Sequence, residues 1–417
     1  MTRRIAPADI PGLLRPGMTV FAPGVGGESA AIVEALSRTP EACRGVHFAG
    51  VWLPGINRVD YAGLHADARS TAFFVGRELH ASFAAGRIAL MPLSYFEIYR
   101  YLRDVLPIDL AFVQVAPPDK DGRLSLGVAH DFTPAILNKA KCTVVHINPR
   151  MPATRGTASL ALADADFIVE AESPLLADDP IVDPVWDAIA RNVATLVRDG
   201  DTLELGIGRV QNVFSALTGA RRLNIHSGAI TAPLLALVEN GAIESGPGAI
   251  TAGMALGDAR FYAFCNTSDA VRFAAVGETH AIATLARIPR FLAINSVVEV
   301  DLLGQANAEM VGARQVSGTG GIVDFMRGAR LSPGGLGIVA LPATSGEGGV
   351  SRIVAALAAG TAVSITRADI DIVVTEYGVA DLRLKAIDAR ADALIGVAAP
   401  AYRDQLANAW DARRRRM

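Results

Sequence analysis

Short β-branched runs alternate with helical patterns along both halves of the chain. "CTVVHIN" (142–148), "LGIVALP" (336–342) and "IDIVVTEYG" (370–378) are the plainest strands. Strands alternating with helices predict βαβ units and a mainly parallel sheet, so the fold class is α/β with open sheets. Ligands in such sheets bind beyond the carboxyl ends of the strands, where glycine-rich turns sit. One run, "LNIHSGAITAPLL" (223–235), begins as an apolar strand and breaks into glycine, threonine and proline at Gly228. It resembles the lip of an active site, yet it contains no acid, lysine or cysteine.

An internal repeat organises the chain. Residues 15–36, "RPGMTVFAPGVGGESAAIVEAL", match residues 198–217, "RDGDTLELGIGRVQNVFSAL". Each copy starts Arg-x-Gly-x-Thr, runs through a short apolar strand and a Gly-x-Gly turn, and continues as an amphipathic helix. The copies lie 183 residues apart (Thr202 minus Thr19), a domain-sized spacing rather than a solenoid one. Two related α/β domains are expected, 1–185 and 186–417, joined by "ESPLLADDPIVDP" (172–184). The length of 417 residues agrees, since one hydrophobic core stops growing well below that size.

Composition narrows the function. Apolar residues make up 51% and charged residues 19%, and the net charge of −3 leaves no electrostatic footprint for nucleic acid. The basic run Arg413 to Arg416 reads as a solvated tail. Cys43, Cys142 and Cys265 form neither a CxxC pair nor a disulfide framework, which suits a reducing compartment. The 7 histidines show no HxxH or HExxH spacing, so no metal is expected. No apolar run of about 18 residues occurs, and the amino terminus lacks a secretory pattern. A cytoplasmic protein is expected.

Four turns carry candidate chemistry. Leu205, Gly206, Ile207, Gly208 and Arg209 close a strand and open a helix, where free N–H groups favour an anion or a carbonyl oxygen. A dinucleotide fingerprint fails there, because Gln211 stands where GxGxxG needs glycine; a plain βα turn remains the alternative. "VSGTGGIVDFMRGARLSPGG" (316–335) offers Gly318, Gly320 and Gly321 as an anion nest or oxyanion hole, followed by Asp324 and Arg327. "VVTEYGVADLR" (373–383) gathers Glu376, Asp381 and Arg383, with a salt-bridged helix start as the alternative. "APPDKDGRLSLG" (116–127) is a turn leading to a strand.

Together "LELGIG", "PPDKDGRLSLG", "INSVVEVDLLGQ", "SGTGGIVDFMRGA" and "VVTEYGVADLR" resemble the acetyl-CoA hydrolase/transferase family, which includes 4-hydroxybutyrate, butyryl-CoA:acetate and succinyl-CoA:acetate CoA-transferases. The resemblance runs from the first Gly-x-Gly turn to "ALIGVAAPAYRDQL" (393–406). It implies two CoA-transferase-type α/β domains, a homodimer, and coenzyme A bound as acyl-CoA. In the family a glutamate attacks the thioester, giving an acyl-glutamyl anhydride and then a glutamyl-CoA thioester, with oxyanions held by backbone N–H groups. The resemblance places Leu205 to Arg209, Val298, Gly320 and Gly321 beside CoA, with the Gly321 N–H as oxyanion donor.

The family's glutamate follows a motif resembling Ile-His-Ser-Glu, and here that motif reads Ile225-His226-Ser227-Gly228. Downstream, Thr231-Ala232-Pro233 departs from the family's Ser-Asp-Gly. Glycine cannot form the anhydride, so the glutamyl-CoA route is not expected at Gly228. No shifted glutamate stands out, since Glu239 and Glu244 read as a helix end and the following turn. His226 and Ser227 are candidate helpers, although the family motif also contains them. Glu347 is a further loop acid, and Glu28 reads as a charge favouring a helix amino terminus. The leading expectation is an acyl-CoA enzyme that hydrolyses the thioester or transfers the acyl group to a non-standard acceptor. The alternatives are a conventional acyl-CoA:carboxylate CoA-transferase using another carboxylate, and a non-catalytic CoA-binding protein.

Overall fold

The computed structural model describes residues 2–177, 183–217, 219–346 and 349–417. Glu347 and part of the expected 172–184 link, 178–182, lie outside the described residues.

Strands β1 (Arg3–Arg4), β2 (Thr19–Phe21), β3 (His47–Gly50), β4 (Arg69–Ala72), β5 (Ile88–Leu90), β6 (Leu110–Val115), β7 (Thr143–Ile147) and β8 (Phe167–Glu170) form one sheet. Its order is β1-β8-β7-β6-β2-β3-β4-β5, parallel throughout. A second sheet takes β9 (Thr202–Leu205), β10 (Asn224–Thr231), β11 (Ile250–Leu256), β12 (Val271–Phe273), β13 (Phe291–Ser296), β14 (Leu336–Ala340), β15 (Ile372–Thr375) and β16 (Gly378–Asp381). Its order is β12-β11-β10-β9-β13-β14-β15-β16, with only the edge pair β15–β16 antiparallel. The α/β class with mainly parallel sheets follows from these ladders. Strands covered on both faces need no polar alternation, and β6 ("LAFVQV") is buried at every position.

The repeat has a topological meaning. Each sheet grows outward from a central strand, then restarts on that strand's other side. Thr19 and Thr202 open those central strands, β2 and β9. Strand order therefore reverses between β2 and β6, and again between β9 and β13. Such switch points leave a crevice at the strand carboxyl ends.

The two sheets share packing and backbone bonds. Tyr95 N–H donates to Gly320 O (3.1 Å), Val75 N–H to Ser317 O (3.2 Å), and His130 N–H to Gly253 O (3.0 Å). Phe21, Phe73, Phe74, Tyr95 and Phe132 pack in one buried cluster with Ala229, Met254 and Leu256 from the second sheet.

Glu28 departs from the expected dipole role. Ser29 caps the helix Ala30–Arg38 by accepting from Ile32 N–H. Glu28, one residue earlier, is buried, and burial pushes its pKa up to about 7 against the lowering effect of Asn57. A carboxyl buried there is only partly ionised at neutral pH, so packing rather than the dipole governs it. Among the described residues no helix is long and apolar enough to cross a membrane.

Candidate functional site

The switch point of the second sheet opens into a cavity of about 450 Å³, within the usual range of about 300–1,000 Å³ for small-molecule sites. β9 ends there in Glu204 and Leu205 and turns through Gly206, Ile207 and Gly208; β13 ends in Asn295 and Ser296. Gly208 has φ +88°, a backbone conformation L side chains disfavour, so the turn needs glycine. β10 contributes Gly228 and Ala229. Ser317 to Gly321 form the opposite wall and lead into the helix Ile322–Leu331. Leu53 to Ile56, Phe74 and Tyr95 from the first sheet's side close the cleft.

Among the expected residues, Leu205, Gly206, Ile207, Gly208, Gly228, Gly320 and Gly321 line this cavity. The others are not in its lining. Arg209 is exposed and pairs with Asp183 (2.6 Å). Val298, half-buried, donates its N–H to Asn307 O (2.8 Å). Ser227 is buried and donates to Leu205 O (3.2 Å). His226 is buried against Thr279 O (3.1 Å), and burial lowers its pKa. Glu239 is exposed and pairs with Arg260; Glu244 accepts from Ser245 N–H (2.9 Å). Asp381 and Arg383 form a surface ion pair (2.6 Å), while Glu376 accepts from Ala343 N–H (2.8 Å).

β10 does not break at Gly228 as its residues suggest. It continues to Thr231, pairing Ser227 with Ala252 and Ala229 with Met254. Burial of Ala229 and Ile230 and the parallel ladder outweigh glycine's poor strand preference. Gly228 is thus a wall position on a rigid strand, not part of a loop.

His280 occupies the space beside it. A Cβ built on Gly228 would lie 2.9 Å from His280 Cε1 and 3.0 Å from Nε2; one on Gly321 would lie 2.6 Å from Nε2. The imidazole is stacked on Tyr95 (centroids 4.9 Å apart, planes at 25°) and packs against Phe325 (4.3 Å). Its Nδ1 lies 2.9 Å from Thr279 Oγ1. Burial, with His226 adding to it, pushes its pKa down to about 3, so the ring is neutral near pH 7. Among the described residues Nε2 has no hydrogen-bond partner, and the residue lines the cavity.

Two further features set the electrostatics. Gly321 immediately precedes a helix whose first N–H groups have no intrahelical acceptors, and its own N–H has no acceptor among the described residues. That end of the cavity favours a developing oxyanion. Glu204 is the carboxyl in the cavity lining. Burial raises its pKa well above the usual range, and Asn295 Nδ2 donates to its Oε2 (2.6 Å).

Sequence reasoning missed both His280 and Glu204. Glu204 lies two residues before Gly206, and the period of a strand puts it on the same face; that signal was readable. "VGETHA" around His280 matches no spacing rule, and only the fold brings it to Gly228.

The geometry agrees with relationships to known proteins. Residues 2–177 match the acetyl-CoA hydrolase/transferase N-terminal domain and residues 257–410 the C-terminal domain of the same family. The chain is 37% identical over 402 residues to 4-hydroxybutyrate coenzyme A transferase of Clostridium kluyveri, covering 94% of each. Its structure is similar to RipA from Yersinia pestis (25% identity, TM-score 0.91, 99% of this chain and 98% of that one). It is also similar to a 4-hydroxybutyrate CoA-transferase from Porphyromonas gingivalis (28% identity, TM-score 0.80, 99% and 98%). Coenzyme A thioesters are the substrates of this family. With both domain models matched and a close relative aligned along nearly its whole length, the chain belongs to the acetyl-CoA hydrolase/transferase family.

Proposed function

We propose that this protein binds an acyl-CoA with its thioester in the β9/β13 cleft and cleaves it without a glutamyl-CoA intermediate, water being the acceptor the cleft favours. Leu205 to Arg209, Val298 and Gly320 border the CoA moiety on this reading, and the Gly321 N–H receives the oxyanion. One observation carries it: Gly228, where the family resemblance puts the nucleophilic glutamate, lies on the cavity wall with a neutral imidazole in its side-chain space. The test is a panel of acyl-CoAs assayed for free thiol and free acid. Thiol release matched by free acid, with no need for an added carboxylate, is expected. No release from any member would overturn the reading, and CoA binding by calorimetry without turnover would leave a binding protein.

Glu204 supports a second reading, ordinary CoA transfer to a carboxylate acceptor through a different glutamate. It predicts a glutamyl-CoA thioester at Glu204, which hydroxylamine or borohydride converts to a hydroxamate or an alcohol on the peptide that contains it, with release of CoA. Burial disfavours it, because it raises the Glu204 pKa well above the usual range against the lowering effect of the Asn295 bond, and a protonated carboxyl is a poor nucleophile.

A further inference from the structure

We propose that His280 is the general base of thioester hydrolysis in this cleft, its Nε2 taking the proton of a water that attacks the carbonyl beside the imidazole, which fills the side-chain space of Gly228. This inference rests on the acyl-CoA reading above. Three geometrical facts carry it. Nε2 is the atom nearest a Cβ at Gly321 (2.6 Å) and is 3.0 Å from one at Gly228, so it stands between the oxyanion donor and the place of the absent side chain. The ring is stacked on Tyr95 and packed against Phe325, which fixes where Nε2 points. The Thr279 hydroxyl engages the other ring nitrogen, Nδ1, at 2.9 Å; on this proposal it accepts from Nδ1–H and donates to Ala275 O (3.4 Å), so that the lone pair is on Nε2.

The chemistry balances within the cleft. Water oxygen bonds to the thioester carbon while its proton passes to Nε2, and the carbonyl oxygen becomes an anion beside the Gly321 N–H. Collapse breaks the carbon–sulfur bond, and the imidazolium proton goes to the departing thiolate. A free acid and CoA thiol leave, and the imidazole is neutral again. Burial makes the imidazolium unfavourable except while the oxyanion faces it, so the proton is not retained. His226, nearby but bonded to Thr279 O, is a positioning residue, because it holds the segment that carries His280.

The test uses the full-length protein and the acyl-CoA it turns over fastest. In His280→Gln and in His280→Phe, which keeps the ring packing, kcat is expected to fall about 100-fold or more. KM and CoA affinity by calorimetry should change less than about threefold, since uniform binding is untouched. In His280→Ala, free imidazole should restore part of kcat, with the restored rate following the neutral form of the added base. A kcat within about threefold of wild type in His280→Phe overturns the inference while leaving hydrolysis standing. So does a loss of CoA affinity equal to the loss of kcat with no imidazole rescue, which marks a structural histidine. A wild-type protein that releases no thiol, or that carries CoA on Glu204 during turnover, overturns the hydrolytic reading and this inference with it.

Discussion

Gly228 and His280 exclude each other's alternatives. Gly228 has ordinary backbone angles, so the glycine is explained by space rather than conformation: any side chain would enter the imidazole. Gly228→Ala is therefore expected to cost about 1–3 kcal/mol through overpacking, read by denaturant unfolding. Gly228→Glu alone should be less stable still and should not transfer CoA to acetate. Gly228→Glu combined with His280→Ala has room for the carboxylate and should recover stability relative to Gly228→Glu. Transfer to acetate by the single variant at wild-type stability would show that the ring yields freely. The ring also titrates. Its pKa is 6.5 when unfolded and about 3 when folded, so below pH 6.5 the unfolded state binds more protons and the native state loses stability as pH falls. His280→Phe lacks that loss. Its stability relative to wild type should rise by about 2 kcal/mol between pH 7 and pH 5, and a difference constant across that interval would mean that the histidine is not buried neutral.

At the level of elements, the helix Ile322–Leu331 begins next to Gly321 on the cavity wall, the end that the proposed function gives to the oxyanion. Asp324 in its first turn is buried and accepts from Phe96 N–H (3.0 Å), tying the helix start to the first sheet's side. Asp324→Ala leaves that N–H unpaired and should cost about 1–3 kcal/mol, with a fall in kcat because Gly320 and Gly321 lose their support. Asp324→Asn keeps an acceptor and should restore most of both; equal damage from the two variants would point to the charge instead. Asp324 was legible in "GTGGIVDF" only as an acid after a glycine loop. Legibility in general follows locality. The glycine turns, the repeat and the parallel strands are local patterns, and the structure places them as read. His280 is not local: it reaches Gly228 because the segment after β12 folds back over β11 and β10. No spacing within "VGETHA" encodes that neighbour. The end of β10 was misplaced for the same reason, since a ladder with β11 carries a strand through a glycine that propensity alone would stop at.

At the scale of the molecule, the cleft requires both sheets at once. Its floor and glycine wall come from the second, while Tyr95, Phe74 and Leu53 to Ile56 close it from the first. Tyr95 is also stacked on His280, so the proposed base is positioned by a residue from the first sheet's side. The apolar cluster of Phe21, Phe73, Phe74 and Phe132 with Ala229, Met254 and Leu256 is continuous across the two. Each fully buried large apolar side chain contributes about 1.5–3 kcal/mol, so separating the halves exposes surface that neither half can cover alone. Residues 1–177 and 183–417, produced separately, are expected to bind a hydrophobic dye and to melt well below the intact chain. Mixed together, they should regain the intact melting temperature and, with it, thiol release. A cooperative melt of 1–177 alone at the intact temperature would show instead that the cluster is dispensable and the two halves are independent. In that case the stacking of His280 on Tyr95 would depend on docking, and kcat in the mixture would rise with the concentration of the complementary half.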